Sequence, residues 1–176
     1  MRRLRYSVAM SLDGFIADVD GGYDWIVQDP QIDFGAMFAK VDALIMGRRT
    51  YEIVGGQKAP YIDDKAIYVV STTLDPAEHP DVEIVSKEVE RFVAELKAKK
   101  GKDIWLFGGG VLFRSLLEAG LVDQVEVGVI PVLLGQGVPL LPGLNGIAEL
   151  SLVRIEEYAS SGIVMLEYDV VSPLAT

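Results

Sequence analysis

Two stretches of this chain share one plan: an apolar strand, a glycine and a helix start. They are Leu44-Ile45-Met46-Gly47-Arg48-Arg49-Thr50 and Trp105-Leu106-Phe107-Gly108-Gly109-Gly110-Val111-Leu112. A strand that feeds a helix directly returns to its sheet by a parallel crossover, so the plan belongs to α/β architecture. The rest of the chain continues the alternation. Apolar runs over 6–12, 43–46, 66–70, 82–85 and 104–107 read as buried strands, each stopped by an aspartate, glycine or serine. The pattern predicts helices over 33–40, 49–54 and 111–119. A further helix is expected after Ser86 as N-cap, because Val89, Phe92, Val93 and Leu96 keep i, i+3, i+4, i+7 spacing. Glu88 and Glu90 fall early in it and Lys97, Lys99 and Lys100 late, an order that complements the helix dipole. From residue 122 the pattern becomes three strands, over 122–130, 150–157 and 163–170, joined by turns. The expectation is an α/β fold whose mostly parallel sheet ends in an antiparallel C-terminal edge. No repeat or linker divides the chain, so one domain is expected over 1–172, with 173–176 as a tail.

Composition limits the chemistry. Half of the 176 residues are hydrophobic, which excludes intrinsic disorder. The formal charge of −10 repels a phosphate backbone at long range, so no nucleic-acid partner is expected. Cysteine is absent and His79 is the one histidine. Disulfides, thiolate catalysis, Cys-ligated metals, His-based triads and multi-His metal sites are therefore excluded, and no metal is expected. The start Met1-Arg2-Arg3-Leu4-Arg5 has the charge of a signal n-region, but the apolar run behind it is short and ends at Asp13-Gly14. No window approaches the ~18 apolar residues of a membrane helix, and the expected location is cytoplasmic, without a membrane partner.

The two junctions are where chemistry is best placed. Open amides at a helix start favour an anion, and consecutive glycines let a phosphate approach the backbone. Two such sites on neighbouring strands suit a dinucleotide, and Arg48 with Arg49 suits a ribose 2′-phosphate, which favours NADP over NAD. The plainer alternative is that Gly47 stops a strand, Gly108 to Gly110 make a turn, and the arginines are solvated. Known phosphate motifs do not explain the pair: Phe113 occupies the third glycine position of G-x-G-x-x-G, and neither a P-loop nor G-x-S-x-G occurs.

Three ordered motifs, Ser11-Leu12-Asp13-Gly14-Phe15-Ile16-Ala17, Met46-Gly47-Arg48-Arg49-Thr50-Tyr51-Glu52 and Phe107-Gly108-Gly109-Gly110, resemble the dihydrofolate reductase superfamily. Gly120-Leu121-Val122-Asp123 and Pro131-Val132-Leu133-Leu134-Gly135-Gln136-Gly137 resemble its branch containing the reductase domain of the bifunctional riboflavin-biosynthesis deaminase/reductase. The resemblance runs from about Arg5 to Val170. It implies a three-layer fold with a central sheet of about eight strands, NADPH bound across the strand ends, and hydride delivery to a heteroaromatic ring. By position it implies Ala9, Ile16 and Ala17 along the nicotinamide. Gly47, Arg48, Arg49 and Thr50 would hold the pyrophosphate and 2′-phosphate. Ser71 and Thr72 would stand near the adenosine phosphate, and Gly108, Gly109, Gly110, Val111 and Leu112 would form a second cradle. Segment 18–30, with Trp25, would close over the nicotinamide.

Hydride transfer needs position and dryness more than a thiol or imidazole, which agrees with the missing residue types. Asp33 matches the carboxylate that pairs with the ring in dihydrofolate reductases, and is expected as catalytic and substrate-binding residue. Asp13 and Trp25 are the other expected substrate contacts. Each has a structural alternative: helix start for Asp33, turn for Asp13, loop packing for Trp25. The resemblance implies an NADPH-dependent reductase, with 5-amino-6-(5-phosphoribosylamino)uracil as first-named substrate. Other pterin or flavin-like rings, or a non-catalytic NADPH-binding module, remain alternatives. A homodimer is expected through the apolar stretch 125–134.

Overall fold

The computed structural model describes residues 1–54, 62 and 64–171. The expected tail 173–176 and the Gly55-Gly56 break lie outside the described residues. In chain order the elements are β1 (Leu4–Ser11), β2 (Phe15–Ala17), α1 (Phe34–Ala39), β3 (Val41–Gly47), α2 (Arg48–Val54), β4 (Ala66–Val70), β5 (Glu83–Val85), α3 (Val89–Ala98), β6 (Asp103–Gly108), α4 (Gly110–Glu118), β7 (Gln124–Ile130), β8 (Val138–Pro139), β9 (Leu150–Tyr158) and β10 (Ile163–Val170). The eight-stranded sheet has the order β5-β4-β3-β6-β1-β7-β10-β9. The strands from β5 to β7 pair in parallel, and β10 and β9 run antiparallel beyond them. This is the expected mostly parallel sheet with its antiparallel C-terminal edge.

Period-two alternation sorts each strand between two layers. On β1, Leu4, Tyr6, Val8 and Met10 enter one core with Val93 and Leu96 of α3 and Leu112, Phe113, Leu116 and Leu117 of α4. Tyr6 stacks on Phe113 with ring centroids 3.9 Å apart. The opposite face carries Leu44, Met46 and Trp105 under Met37 and Phe38 of α1 and Tyr51 and Val54 of α2. A third cluster, Ile130, Tyr158 and Ile163, packs on that face with Ala9, Trp25, Ile26, Ile32 and Met165. Helices on both faces of the sheet make the three layers.

Four sequence expectations change. Helix α3 begins two residues late for a Ser86 cap: its N-cap is Glu88, held at φ +48° with no side-chain cap bond. The turn out of β5 uses that left-handed residue, while the apolar spacing still sets the buried face. Lys97, expected in the last turn as a complement to the helix dipole, stands there but is buried, pairs with Asp123 at 2.6 Å and donates to the Leu121 carbonyl at 2.6 Å. Part of the run expected as a pairing surface is interior, while Leu133 within it is exposed. Val125, Val127 and Ile130 are buried in β7, between β1 and β10. The exposed apolar side chains Leu152, Val153 and Ile155 lie on edge strand β9. Finally, β2 and β8 form a two-stranded ribbon that their few residues do not announce.

Candidate functional site

The parallel strands β1, β3, β4, β6 and β7 finish at one end of the sheet, at Ser11, Gly47, Val70, Gly108 and Ile130. Because β3 and β6 are neighbours, the two glycine junctions meet there. A Cβ at Gly47 would lie 3.9 Å from the Gly108 carbonyl oxygen. A Cβ at Gly108 or Gly109 would lie 3.5 or 3.6 Å from Thr50 Oγ1. Each such carbon would sit at ordinary contact distance inside the gap between the junctions, so glycine keeps that gap open. Thr50 Oγ1 faces it and has no hydrogen-bond partner among the described residues. The N-cap of α4 is Gly109, whose lack of a side chain leaves the first helix amides uncapped.

Gly110 does something different. A Cβ there would lie 2.7 and 2.8 Å from the carbonyl oxygens of Pro139 and Leu140. This glycine is required by the segment that packs over the start of α4. Val111 is exposed, whereas Leu112 is buried in the core and has only its backbone to offer a ligand. Arg48 is exposed and pairs loosely with Glu52 at 3.7 Å, and Arg49 is exposed with no partner among the described residues. Ser71, after β4, is buried and its hydroxyl accepts the Thr73 and Leu74 amides, each at 3.1 Å, whereas Thr72 is exposed.

Just after β1 the carboxylate of Asp13 closes a turn. It accepts the Ser11 hydroxyl at 2.6 Å and the Leu134 and Gly135 amides at 3.1 and 2.7 Å. The Ser11 hydroxyl first, then the Gly135 amide, hold it below the ordinary carboxylate range. The turn role expected as the plainer alternative is what its contacts describe. Ile16 and Ala17 lie half-buried in β2, beside β8. Trp25 packs with Ala9 and donates its indole N–H to the Gly22 carbonyl at 3.2 Å. The segment that carries it is fastened by Asp29, 2% exposed, which accepts the Ser160 hydroxyl at 2.6 Å and the Gln31 amide at 2.8 Å. Those bonds, Ser160 first, hold the Asp29 carboxyl low.

Asp33 caps α1, accepting the Ala36 amide at 2.8 Å through Oδ1. It also lines a groove of about 200 Å³ between α1 and the β7–β10–β9 face. Met165 forms part of the floor, and Gly128 makes room for it: a Cβ at Gly128 would lie 2.9 Å from Met165 Sδ. Gly128 pairs with Ala9 across the β1–β7 ladder, so the groove floor continues into the small-residue surface at Ala9. Tyr158 stands in the far wall, and burial first, then Glu156 beside it, push its phenol above the usual range. It is therefore a neutral hydroxyl at working pH.

Sequence reasoning missed most of this groove. Glu126, Glu156, Glu167 and Arg154 line it, and Arg5 stands behind Glu126 and Glu167. One signal was present. Gln124 and Glu126 on β7, and Glu167 and Asp169 on β10, put polar residues at every second position of otherwise apolar strands.

Comparison with known proteins agrees with this architecture. The sequence profile of the RibD C-terminal domain family matches residues 2–164. The uncharacterised protein YyaP of Bacillus subtilis is 32% identical over 180 aligned positions, covering 95% of this chain and 94% of the relative. Among solved structures, a protein of Shewanella sp. PV-4, provisionally named for riboflavin biosynthesis, superposes with a TM-score of 0.82 at 29% identity, over 98% of this chain and all of that one. Dihydrofolate reductase from Enterococcus faecalis, solved with NADP(H), superposes with a TM-score of 0.70 at 19% identity over 97% of both chains and shares the fold. With its glycine junctions side by side beneath the strand ends and its profile matched almost end to end, this chain belongs to the RibD C-terminal domain family, within the dihydrofolate reductase-like fold.

Proposed function

We propose that this protein is an NADPH-dependent reductase that delivers hydride to a pyrimidine- or pteridine-type ring. The observation that carries the reading is the meeting of the two glycine junctions around Thr50, on separate strands and without side chains between them. Family membership and the dinucleotide-bound relative support it.

The residues present fit the cofactor. Glycine at Gly47, Gly108 and Gly109 leaves a backbone-lined gap, the Thr50 hydroxyl has no protein partner among the described residues, and the α4 amides are uncapped. Gly47, Thr50, Gly108, Gly109 and the Val111 and Leu112 amides would hold the pyrophosphate. Arg48 and Arg49, both exposed beside it, would hold the 2′-phosphate, with Thr72 near the adenosine side. NADPH, when bound, supplies the hydride. The chain supplies position, dryness and one proton-handling group. Ala9 keeps the sheet surface low where a flat ring would lie, beside Met165 over Gly128, and segment 18–30 with Trp25 would close over it. Asp33 lines the groove, and only its Oδ1 is engaged by the Ala36 amide, which would leave Oδ2 for the ring. There Asp33 would accept ring N–H groups as a carboxylate and relay a proton from solvent to the ring as the ring takes the hydride.

Calorimetry with NADPH and NADH tests the cofactor half. Wild type binds NADPH tightly and NADH weakly. Arg48→Ala and Arg49→Ala each remove a charge-assisted phosphate contact of about 1.5–3 kcal/mol, so each weakens NADPH roughly 10- to 150-fold. Absence of binding by either nucleotide would overturn the reading and leave the junctions as architecture.

A further inference from the structure

We propose that the groove accepts a ring compound whose substituent carries no phosphate and instead presents hydroxyl or amino donors. The inference rests on the reductase reading and narrows its substrate class. Asp33, Glu126, Glu156 and Glu167 bring four carboxylates to the groove, and among the described residues only Lys40 and Arg154 answer them. Arg154 is already engaged: its Nη2 lies 2.6 Å from Glu156 Oε2. The guanidinium behind the floor is divided as well. Arg5 pairs with Glu126, lies 3.3 Å from Asp103 Oδ2 and 3.8 Å from Glu167 Oε1. Gln124 adds only a neutral donor, its Nε2 being 2.8 Å from Glu167 Oε1. Counting Arg5 and Asp103 with the lining leaves the carboxylates in excess.

Phosphate sites are built from unengaged arginine forks, lysines or open helix amides. This groove has the opposite inventory. The start of α1 offers no open end, because the Asp33 carboxylate occupies its Ala36 amide and would itself face an incoming anion. Lys40 is a single exposed ammonium. A phosphate monoester carries about −1.5 to −2 charge near pH 7, and would enter a field of its own sign. Ionised carboxylates only accept hydrogen bonds, so the partners that satisfy them are O–H and N–H groups. The phosphoribosyl compound that the sequence resemblance puts first therefore fits this groove worse than its unphosphorylated counterpart.

The test compares two ligands that differ by the phosphate alone, 5-amino-6-(ribosylamino)uracil and its 5′-phosphate, titrated calorimetrically into the protein with and without NADPH at low salt. The unphosphorylated compound is expected to bind at least about tenfold more tightly, a ratio that shrinks as salt screens the groove. Glu156→Gln releases Arg154 and is expected to strengthen binding of the phosphate several-fold, a gain that misfolding cannot produce. Equal or tighter binding of the phosphate by wild type, binding of neither compound, or no gain in Glu156→Gln overturns the inference. The NADPH titration stands apart from these outcomes: nucleotide binding with a preference for the phosphate sinks this inference alone, whereas no nucleotide binding sinks the reductase reading beneath it.

Discussion

The glycine end of the sheet and the acidic groove are built in opposite ways. At the β3 and β6 junctions the working surface is backbone, and what matters is which side chains are missing: Gly47, Gly108 and Gly109 leave a gap that one hydroxyl, Thr50, overlooks. In the groove the working surface is side chain, contributed by α1, β7, β9 and β10, and its character comes from charge. A site made of backbone tolerates almost any neighbour but no added carbon. A site made of charged side chains tolerates changes of shape but not of sign. Mutations should therefore separate the two by kind as well as by place.

The largest expected effect is on rate, in the groove. Asparagine caps a helix about as well as aspartate, so Asp33→Asn should leave stability within about 0.5 kcal/mol of wild type. It removes the charge facing the groove, and ring reduction should fall by roughly 10²- to 10⁴-fold. Asp33→Ala should lose the same rate and, in addition, about 1 kcal/mol of stability as the cap to Ala36 disappears. Steady-state NADPH oxidation beside thermal melts reads both. An Asp33→Asn variant with full activity would mean that the ring lies outside this groove.

Next comes a contrast within the glycine end. Gly110→Ala puts a carbon within 2.8 Å of two backbone carbonyls that cannot turn aside, an overpacking cost of about 1–3 kcal/mol, or roughly 4–8 °C in Tm at its middle value. Gly109→Ala meets only the Thr50 hydroxyl, at 3.6 Å, and fills the gap instead. It should weaken NADPH by tenfold or more with a smaller change in Tm than Gly110→Ala. Reversal of that order would show that Gly110, rather than Gly109, borders the cofactor.

The same contrast explains what was legible in the sequence. Gly47-Arg48-Arg49-Thr50 and Gly108-Gly109-Gly110 are contiguous, because a strand-to-helix turn places all its functional backbone within a few residues. Alternation predicted the mostly parallel sheet, and the β3–β6 pairing that brings them together is what the structure adds. What sequence could not separate was Gly110 from its neighbours, since its constraint comes from Pro139 and Leu140, far along the chain. The groove was harder still. Arg5, Glu126, Arg154 and Glu167 are scattered over most of the sequence and meet only because β1, β7, β10 and β9 lie in that spatial order. Asp13 and Trp25 show a third case: both are expected to touch substrate, and the long-range protein contacts they make, Leu134 and Gly135 for Asp13 and the cluster around Ile130 for Trp25, lie too far along the chain to be read from sequence.

The smallest expected effect lies where segment 18–32 joins the antiparallel edge. Ser160 donates to Asp29 at 2.6 Å, fastening the segment that carries Trp25 to the β9–β10 turn. Ser160→Ala removes one hydrogen bond, and Tm at neutral pH should fall by about 2–4 °C. The pH dependence identifies the cause. Because the folded carboxyl of Asp29 is held low, chiefly by Ser160, its contribution is complete above the ordinary carboxylate pKa near 4 and is lost as pH falls through the lower folded value. The gap between wild type and Ser160→Ala should thus stay constant from about pH 5 to 8, shrink as pH falls below about 4, and close once the lowered wild-type carboxyl is itself protonated. A gap that persists into acid would mean that Ser160 acts through the turn geometry of the hairpin, where its neighbour Ser161 already bonds the Tyr158 carbonyl, and that Trp25 is held by packing alone.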